Sequence, residues 1–230
     1  MGELVSYHLE DSIATITMDD GKVNALSIDM LTELGDALDR AEADRAVVLL
    51  TGREAVFSAG FDLAVLGSGG EKAVAMLRAG FELAERMLSF PRPVLIACPG
   101  HAVAMGVFLL LSGDYRIGVA GPYKITANEV AIGLTMPLAA IEICRQRLAP
   151  SHLNRAVILA EVFSPEDAIA AGFLDRVVQS SELQDTARSA AKALTKLDGV
   201  AHVATKLLAR DHSLRAIRSA IDADFATLRT

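Results

Sequence analysis

Three stretches of this chain hold residues whose types and spacing suit chemistry. The first runs from Pro99 to Asp114, PGHAVAMGVFLLLSGD. It opens on a Pro-Gly turn signal and becomes an almost unbroken apolar run, which reads as a buried helix. Its small-residue spot, Ala104-Met105-Gly106, lets another group approach the backbone. The start of a buried helix offers unpaired N–H groups and the positive end of a dipole, which suit a developing negative charge. The second stretch is Phe57-Ser58-Ala59-Gly60-Phe61-Asp62-Leu63, where Gly60 gives the backbone freedom to turn. Two junctions of this kind can aim N–H groups at one point, the geometry that stabilises an enolate or a tetrahedral oxyanion. Alone, each is also an ordinary turn. The third is Asn128-Glu129, a carboxylate that can carry a proton. In isolation it reads as a solvent-exposed loop glutamate.

The elements that must position these stretches follow from periodicity. Residues 4–9 and 12–18 alternate apolar and polar and predict an antiparallel hairpin. Ser27 is placed to cap a helix over SIDMLTELGDALDRAEAD, with Met30, Leu31, Leu34 and Leu38 on one face. Ala46 to Leu50 reads as a short buried strand, so a right-handed β-α-β crossover and a partly parallel sheet are expected. The stretch REAVFSAGFDLAVL reads as loop, followed by a Gly-rich linker and an amphipathic helix over about 71–89. Val94 to Cys98 is the next buried strand, and Tyr115–Val119 and Tyr123–Thr126 are two more. A helix is predicted over about 138–148, and the chain from Ser151 onward is helical apart from Leu174 to Val178. Ser164 and Asp167, with Pro165 between them, resemble a capping box.

Composition narrows the function. With 230 residues, 52% of them hydrophobic and 22% charged, the chain can bury a sizeable core as one large domain, or as a domain with a small appendage. A formal net charge of −7 and the lack of a Lys/Arg-rich stripe argue against nucleic acid as a partner. Cys98 and Cys144 sit in apolar segments and read as small buried hydrophobes in a reducing cytosol. No Cys/His spacing suggests a metal site. The N-terminus has neither a basic nor an apolar leader region, and no apolar run is long enough to span a membrane, so a cytoplasmic protein without membrane partners is expected. No GxGxxG or P-loop follows a strand, which leaves dinucleotide and nucleotide triphosphate binding without support.

Four motifs together carry a resemblance: Asn24-Ala25-Leu26, FSAGFDL, PGHAVAMG and NEVAIGLTMP. In order and rough spacing they resemble the crotonase superfamily, the enoyl-CoA hydratase/isomerase family, over most of the chain. The resemblance implies an α/β fold, a crotonase-like spiral of ββα units with a helical C-terminal trimerisation region. Residues 1–195 would form the spiral core with the CoA site, and 196–230 a C-terminal helical oligomerisation segment. It implies homotrimers or dimers of trimers. It also implies acyl-CoA thioester substrates, with coenzyme A carried by the substrate and no separate cofactor. Matched by position, the oxyanion donors are the N–H groups of Phe61 and Met105. Met105 stands where the family usually has glycine, so the second donor falls at Met105 or one residue on, at Gly106. Ala25, Leu26, Ser58 and Ala59 match the CoA-binding backbone. Lys22 is a candidate phosphate contact and reads equally as a solvated loop lysine.

Hydratases of this family use two glutamates, one to deprotonate water and one to protonate carbon. The first lies three residues past the second oxyanion donor, where this chain has Phe108. At the second position stands Glu129. A single carboxylate suits a 1,3-proton shift, and an apolar residue with a downstream Asn-Glu pair resembles the family's 3-enoyl-CoA to 2-enoyl-CoA isomerases. The expected function is therefore enoyl-CoA isomerisation in fatty-acid metabolism, on medium or long chains, with Glu129 as the one acid/base. Alternatives are hydration by Glu129 and water, thioester hydrolysis, and acyl-CoA binding without turnover. Phe108, Val130 and Ile132 are expected to surround Glu129 and raise its pKa. His101 is expected beside the pocket, Asp62 as a helix cap, and Phe225 and Arg229 as residues that could close the CoA site of a neighbouring subunit.

Overall fold

The computed structural model describes residues 3–226. β1 (Val5–Glu10) and β2 (Ile13–Met18) form the expected antiparallel hairpin around Asp11 and Ser12, both at positive φ as a tight hairpin turn requires. After β3 (Ala25–Leu26), the Ser27 hydroxyl accepts the Met30 N–H at 3.2 Å and starts α1 (Ile28–Ala43). β4 (Val47–Thr51) leads into β5 (Ala55–Ser58), β6 (Gly60–Phe61), α2 (Leu63–Ser68) and α3 (Gly70–Ser89). β7 (Val94–Cys98) leads into β8 (Gly100–Val103) and α4 (Met105–Leu111), and β9 (Tyr115–Val119) into β10 (Ile125–Thr126). The remainder is α5 (Leu138–Arg145), α6 (Pro150–Val157), α7 (Pro165–Ala171), β11 (Arg176–Val178), α8 (Leu183–Leu194) and α9 (Gly199–Ala226).

The larger sheet has the order β1-β2-β4-β7-β9-β11 and is parallel after its first hairpin. A second parallel sheet has the order β10-β8-β5. β4, β7 and β9 are each followed within a few residues by the matching strand of the smaller sheet, so every turn of the chain gives one strand to each. This is a spiral of ββα units. β4 and β7 are buried along their whole length, as expected of parallel strands covered on both faces. Their side chains alternate: Val48, Leu50, Val94 and Ile96 enter the main core with α1 and α3, while Val47, Leu49, Leu95 and Ala97 pack against Ala187 and Ala191 of α8.

Four local expectations change. Gly100 to Val103 forms strand β8, not the first turn of a helix, and REAVFSAGFDLAVL contains β5, β6 and α2 in place of a loop. These strands are only two to four residues long, too short for a period-two pattern to separate strand from helix or loop. Gly100 permits the close pairing of these strands, since a Cβ there would lie 1.9 Å from the Ala55 carbonyl oxygen. The strand predicted over Tyr123–Thr126 shortens to Ile125–Thr126, and α5 ends at Arg145.

α9 lies along α3 and α5, and Ile217, Ala220, Ile221 and Phe225 from its second half join the main core. The Asp224 carboxylate accepts the N–H groups of Leu138 and Ala139 at 3.0 and 2.9 Å, capping α5 from a distant helix. Asp224→Ala is expected to cost about 1 kcal/mol, read as a lower urea midpoint at unchanged slope. Nearer its start, α9 is fastened by Asp114, which accepts Lys206 Nζ at 2.8 Å, Arg210 at 2.8 Å and the Val94 N–H at 2.7 Å. An open groove of about 480 Å³ runs over this cluster. Lys206 and Arg210 are already engaged there, by Asp114 and by the carbonyls of Arg92 and Leu88. No helix among the described residues is long and apolar enough to cross a membrane.

Candidate active site

The two glycine-containing junctions meet. Gly60 has φ +94°, and a Cβ built on it would lie 2.9 Å from Ala104 Cβ and 3.3 Å from Met105 N. Only glycine allows both the left-handed turn and this approach. On the other side, a Cβ at Gly106 would lie 2.4 Å from the Ser58 carbonyl oxygen, so the first turn of α4 rests directly on the end of β5. Ala104, which precedes α4, is held at φ 50° and ψ −126°, a conformation L-residues rarely adopt. Its N–H donates to the Thr126 carbonyl at 3.0 Å, tying the start of α4 to the strand that leads to Glu129. As the first helical residue, Met105 directs its N–H out of the helix start without an intrahelical acceptor.

Between these junctions and Asn128-Glu129 lies a cavity of about 400 Å³. Its walls come from Ala59 and Phe61, from Leu63 and Leu66 of α2, from Leu77 and Phe81 of α3, from Ala104 and Phe108, and from the segment 128–137. Phe61, Phe81 and Phe108 form a chain of rings with centroids 6.2 Å apart at each step. Among the described residues, Glu129 is the one ionisable side chain in the lining. It is 8% exposed, and among the described residues its Oε2 has no hydrogen-bond partner. Burial pushes its carboxyl from the ordinary 4.5 up to about 7, opposed only by a backbone N–H. Asn128 Oδ1 is likewise buried without a partner. No group of three or more metal-ligating side chains occurs among the described residues.

A profile of the enoyl-CoA hydratase/isomerase family matches residues 8–229. The chain belongs to this family. The solved structure of an enoyl-CoA hydratase/isomerase family protein from Pseudomonas syringae superposes with a TM-score of 0.95 at 53% identity, over 96% of each chain. The human mitochondrial enoyl-CoA delta isomerase 1 is 30% identical over 217 residues, 92% of this chain and 72% of that one. A carnitinyl-CoA dehydratase from Salmonella paratyphi A is 28% identical over 231 residues, 96% and 88% of the two chains. An isomerase and a dehydratase thus stand at nearly equal similarity, and the reaction has to be read from this chain's own cavity.

Within this enoyl-CoA hydratase/isomerase protein, Phe61, Ala59, Phe108 and Glu129 come together at the cavity. The other sequence-derived candidates are distributed differently. Ala25 and Leu26 form β3, paired in parallel with Gly60 and Phe61, and the Leu26 side chain is wholly in the core. The Ser58 side chain is also fully buried, so it offers its hydroxyl to the protein interior and none to a ligand surface. Lys22 is exposed on a loop whose backbone is fixed by Asp20 and Arg53. His101 does not line the cavity: its Nδ1 accepts the Lys124 N–H at 2.9 Å and its ring packs edge-on against Tyr123, before the strand end that reaches the site. Of the neighbours expected around Glu129, Phe108 and Ile132 are present, whereas Val130 is 45% exposed and outside the lining. Asp62 caps α2 through Ala64 and Val65. Phe225 is buried in its own subunit, and Arg229 lies outside the described residues. Sequence reasoning missed Leu63 and Leu66 of α2, which fall in the stretch read as loop, and Leu77 and Phe81 of α3, whose signal is the amphipathic face of the helix after the Gly-rich linker. It also missed that Cys144 lies close enough for the Glu129 charge to raise its thiol pKa, after burial.

Proposed function

We propose that the protein is an enoyl-CoA isomerase that converts 3-enoyl-CoA into 2-enoyl-CoA, with Glu129 as its single acid/base. The observation that carries this reading is that, among the described residues, Glu129 is alone: a cavity otherwise lined by neutral side chains holds one carboxylate, buried and raised to about 7. The substrate's thioester carbonyl sits between the N–H groups of Phe61 and Met105. The ionised Glu129 removes a proton from C2, and the C–H electron pair delocalises through the thioester to give a dienolate whose oxygen charge the two N–H groups hold. Glu129, now protonated, returns the proton at C4, and the double bond moves from C3=C4 to C2=C3. Nothing is oxidised or reduced, so coenzyme A enters only as part of the substrate. A base near pKa 7 matches both halves of such a cycle, because it must take and give the proton at comparable cost. The apolar wall built on Phe61, Phe81 and Phe108 suits an unbranched hydrocarbon tail of medium or greater length. On the CoA side, Ala59 lines the cavity, and the segments of Lys22, Ala25, Leu26 and Ser58 supply backbone.

Hydration by Glu129 and water is the second reading, favoured by Asn128 and Thr135, the neutral polar side chains of the lining. Purified protein assayed on 3-enoyl-CoA and on 2-enoyl-CoA separates the two. Faster turnover of the 3-enoyl substrate supports isomerisation, and faster hydration of the 2-enoyl substrate sinks it. Binding of both without product points to a non-catalytic acyl-CoA-binding subunit, and release of free CoA to thioester hydrolysis. The protein is further proposed to assemble as a homotrimer or dimer of trimers through the start of α9, where Val200 and Leu208 are 79% and 80% exposed. A reducing, cytoplasmic setting fits its two buried free cysteines.

A further inference from the structure

Ser58 stands between the two junctions and touches both. Its Oγ donates to the Asn24 carbonyl at 2.7 Å and accepts the Gly60 N–H at 3.1 Å. Its own carbonyl faces Gly106, at the distance no Cβ would tolerate. Asn24 is equally committed. It is fully buried at φ 52°, and its Nδ2 donates to the carbonyls of Met18 at 2.9 Å and Phe57 at 3.1 Å. Its Oδ1 accepts the Asp20 N–H at 3.0 Å, and the Asp20 carboxylate in turn accepts the N–H groups of Lys22, Asn24 and Ala25. A continuous hydrogen-bonded path therefore runs from the 20–25 loop through Asn24 and Ser58 to Gly60. β5 has an irregular register between Val56 and Ser58, so the ladder with β8 does not by itself fix this corner.

We infer that Ser58, anchored by Asn24, is a positioning residue that sets the Phe61 N–H relative to the Met105 N–H for holding a thioester enolate oxygen. The inference rests on the oxyanion site proposed above. The direction of the Phe61 N–H is set by the Gly60–Phe61 peptide plane, and glycine leaves that plane free to rotate. The Ser58 hydroxyl holds the Gly60 N–H on one side, and β3 pairs with Gly60 and Phe61 on the other. Donors of this kind act because they are fixed before the charge develops, so a small misplacement is costly in the transition state and nearly free in the ground state. The same path links occupancy of the 20–25 loop to the oxyanion donors, although Ser58 touches no substrate.

Ser58→Ala removes the hydroxyl without adding bulk. It is expected to lower kcat on 3-enoyl-CoA by about tenfold or more while KM changes less than about twofold, a split that general loosening would not produce. Binding of acetoacetyl-CoA, an enolisable thioester, gives a second readout: the ultraviolet band of its bound enolate should weaken in Ser58→Ala while affinity for the saturated acyl-CoA stays constant. Ser58→Cys, similar in size with a weaker donor and acceptor, should fall between. Should Ser58→Ala fail to fold, Asn24→Gly tests the same path, keeping the left-handed backbone but releasing the anchor. Wild-type kcat and a wild-type enolate band in these variants overturn the inference, as does a parallel fall in kcat and saturated acyl-CoA affinity. A wild-type protein that forms the enolate band but does not isomerise overturns the reaction proposed above, and Ser58 is then judged on the band alone. A wild-type protein that binds acetoacetyl-CoA with no band overturns the inference together with the oxyanion site.

Discussion

Glu129→Gln is expected to reduce kcat for 3-enoyl-CoA isomerisation by about a thousandfold or more while leaving acyl-CoA affinity within a few-fold of wild type. General acid–base groups contribute about 10²–10⁴-fold each, and here one carboxylate serves both the removal and the return of the proton. Among the described residues, no other ionisable side chain lines the cavity to take over. Glutamine nearly matches glutamate in shape, so the pocket walls and the two backbone donors stay in place. The assay follows the conjugated 2-enoyl thioester by its absorbance, with loss of deuterium label at C2 as an independent report of the first proton transfer. Retention of a tenth of wild-type turnover would remove Glu129 from the mechanism. The pH profile is part of the same expectation. Only the ionised form can accept the C2 proton, so kcat/KM should rise about tenfold per pH unit up to a midpoint near the pKa of about 7 and level off above it. A midpoint near the ordinary 4.5 would mean that Glu129 is hydrated during turnover, contrary to its burial.

The parts of this site that could be read from the chain are those written in short contiguous motifs. Gly60 and Gly106 announce a backbone that must turn or be approached, and both do so against the opposite junction. Phe108 stands where the family resemblance implies the first of a hydratase's two glutamates, three residues past Met105, so its departure is visible once the resemblance is made. Glu129 required the surrounding motif, since nothing about a glutamate in a loop declares that its side chain will be buried in a cavity facing Phe108. The hydrocarbon wall was out of reach for a different reason. Leu77 and Phe81 lie on a helix whose apolar face reads as ordinary core, and only the fold shows that the middle of it lines a cavity. His101 illustrates the converse. A histidine near the motif suggests chemistry, but strand geometry ends its reach at Lys124 and Tyr123. For α9 the resemblance implies association with other subunits, and Ile217, Ile221 and Phe225 of its second half are instead packed in the chain's own core. Periodicity reports that a face will be covered; it does not report by which chain.

The same substitution that removes most turnover is expected to stabilise the protein, increasingly so as pH rises above about 4.5. The folded carboxyl of Glu129 titrates at about 7 against the ordinary 4.5. Between those values the folded state keeps a proton that the unfolded state has released, so stability falls as pH rises through the window. Below about pH 4.5 both states are protonated and the contribution is present in full. Above about pH 7 both are ionised, and the folded protein carries a buried carboxylate whose Oε2 has no partner among the described residues. The difference across the window corresponds to about 3 kcal/mol. Glutamine does not titrate, so Glu129→Gln should match wild type near pH 4.5 and gain on it steadily, reaching about 3 kcal/mol by pH 8. Urea unfolding of both proteins across this range isolates the effect, because every other titrating group is common to the two and cancels in the difference. A stability difference that does not change with pH would show that the carboxylate finds a partner in solution. A gain that grows as predicted, together with the loss of turnover, identifies the unpaired charge itself as what the fold sustains for its proton chemistry.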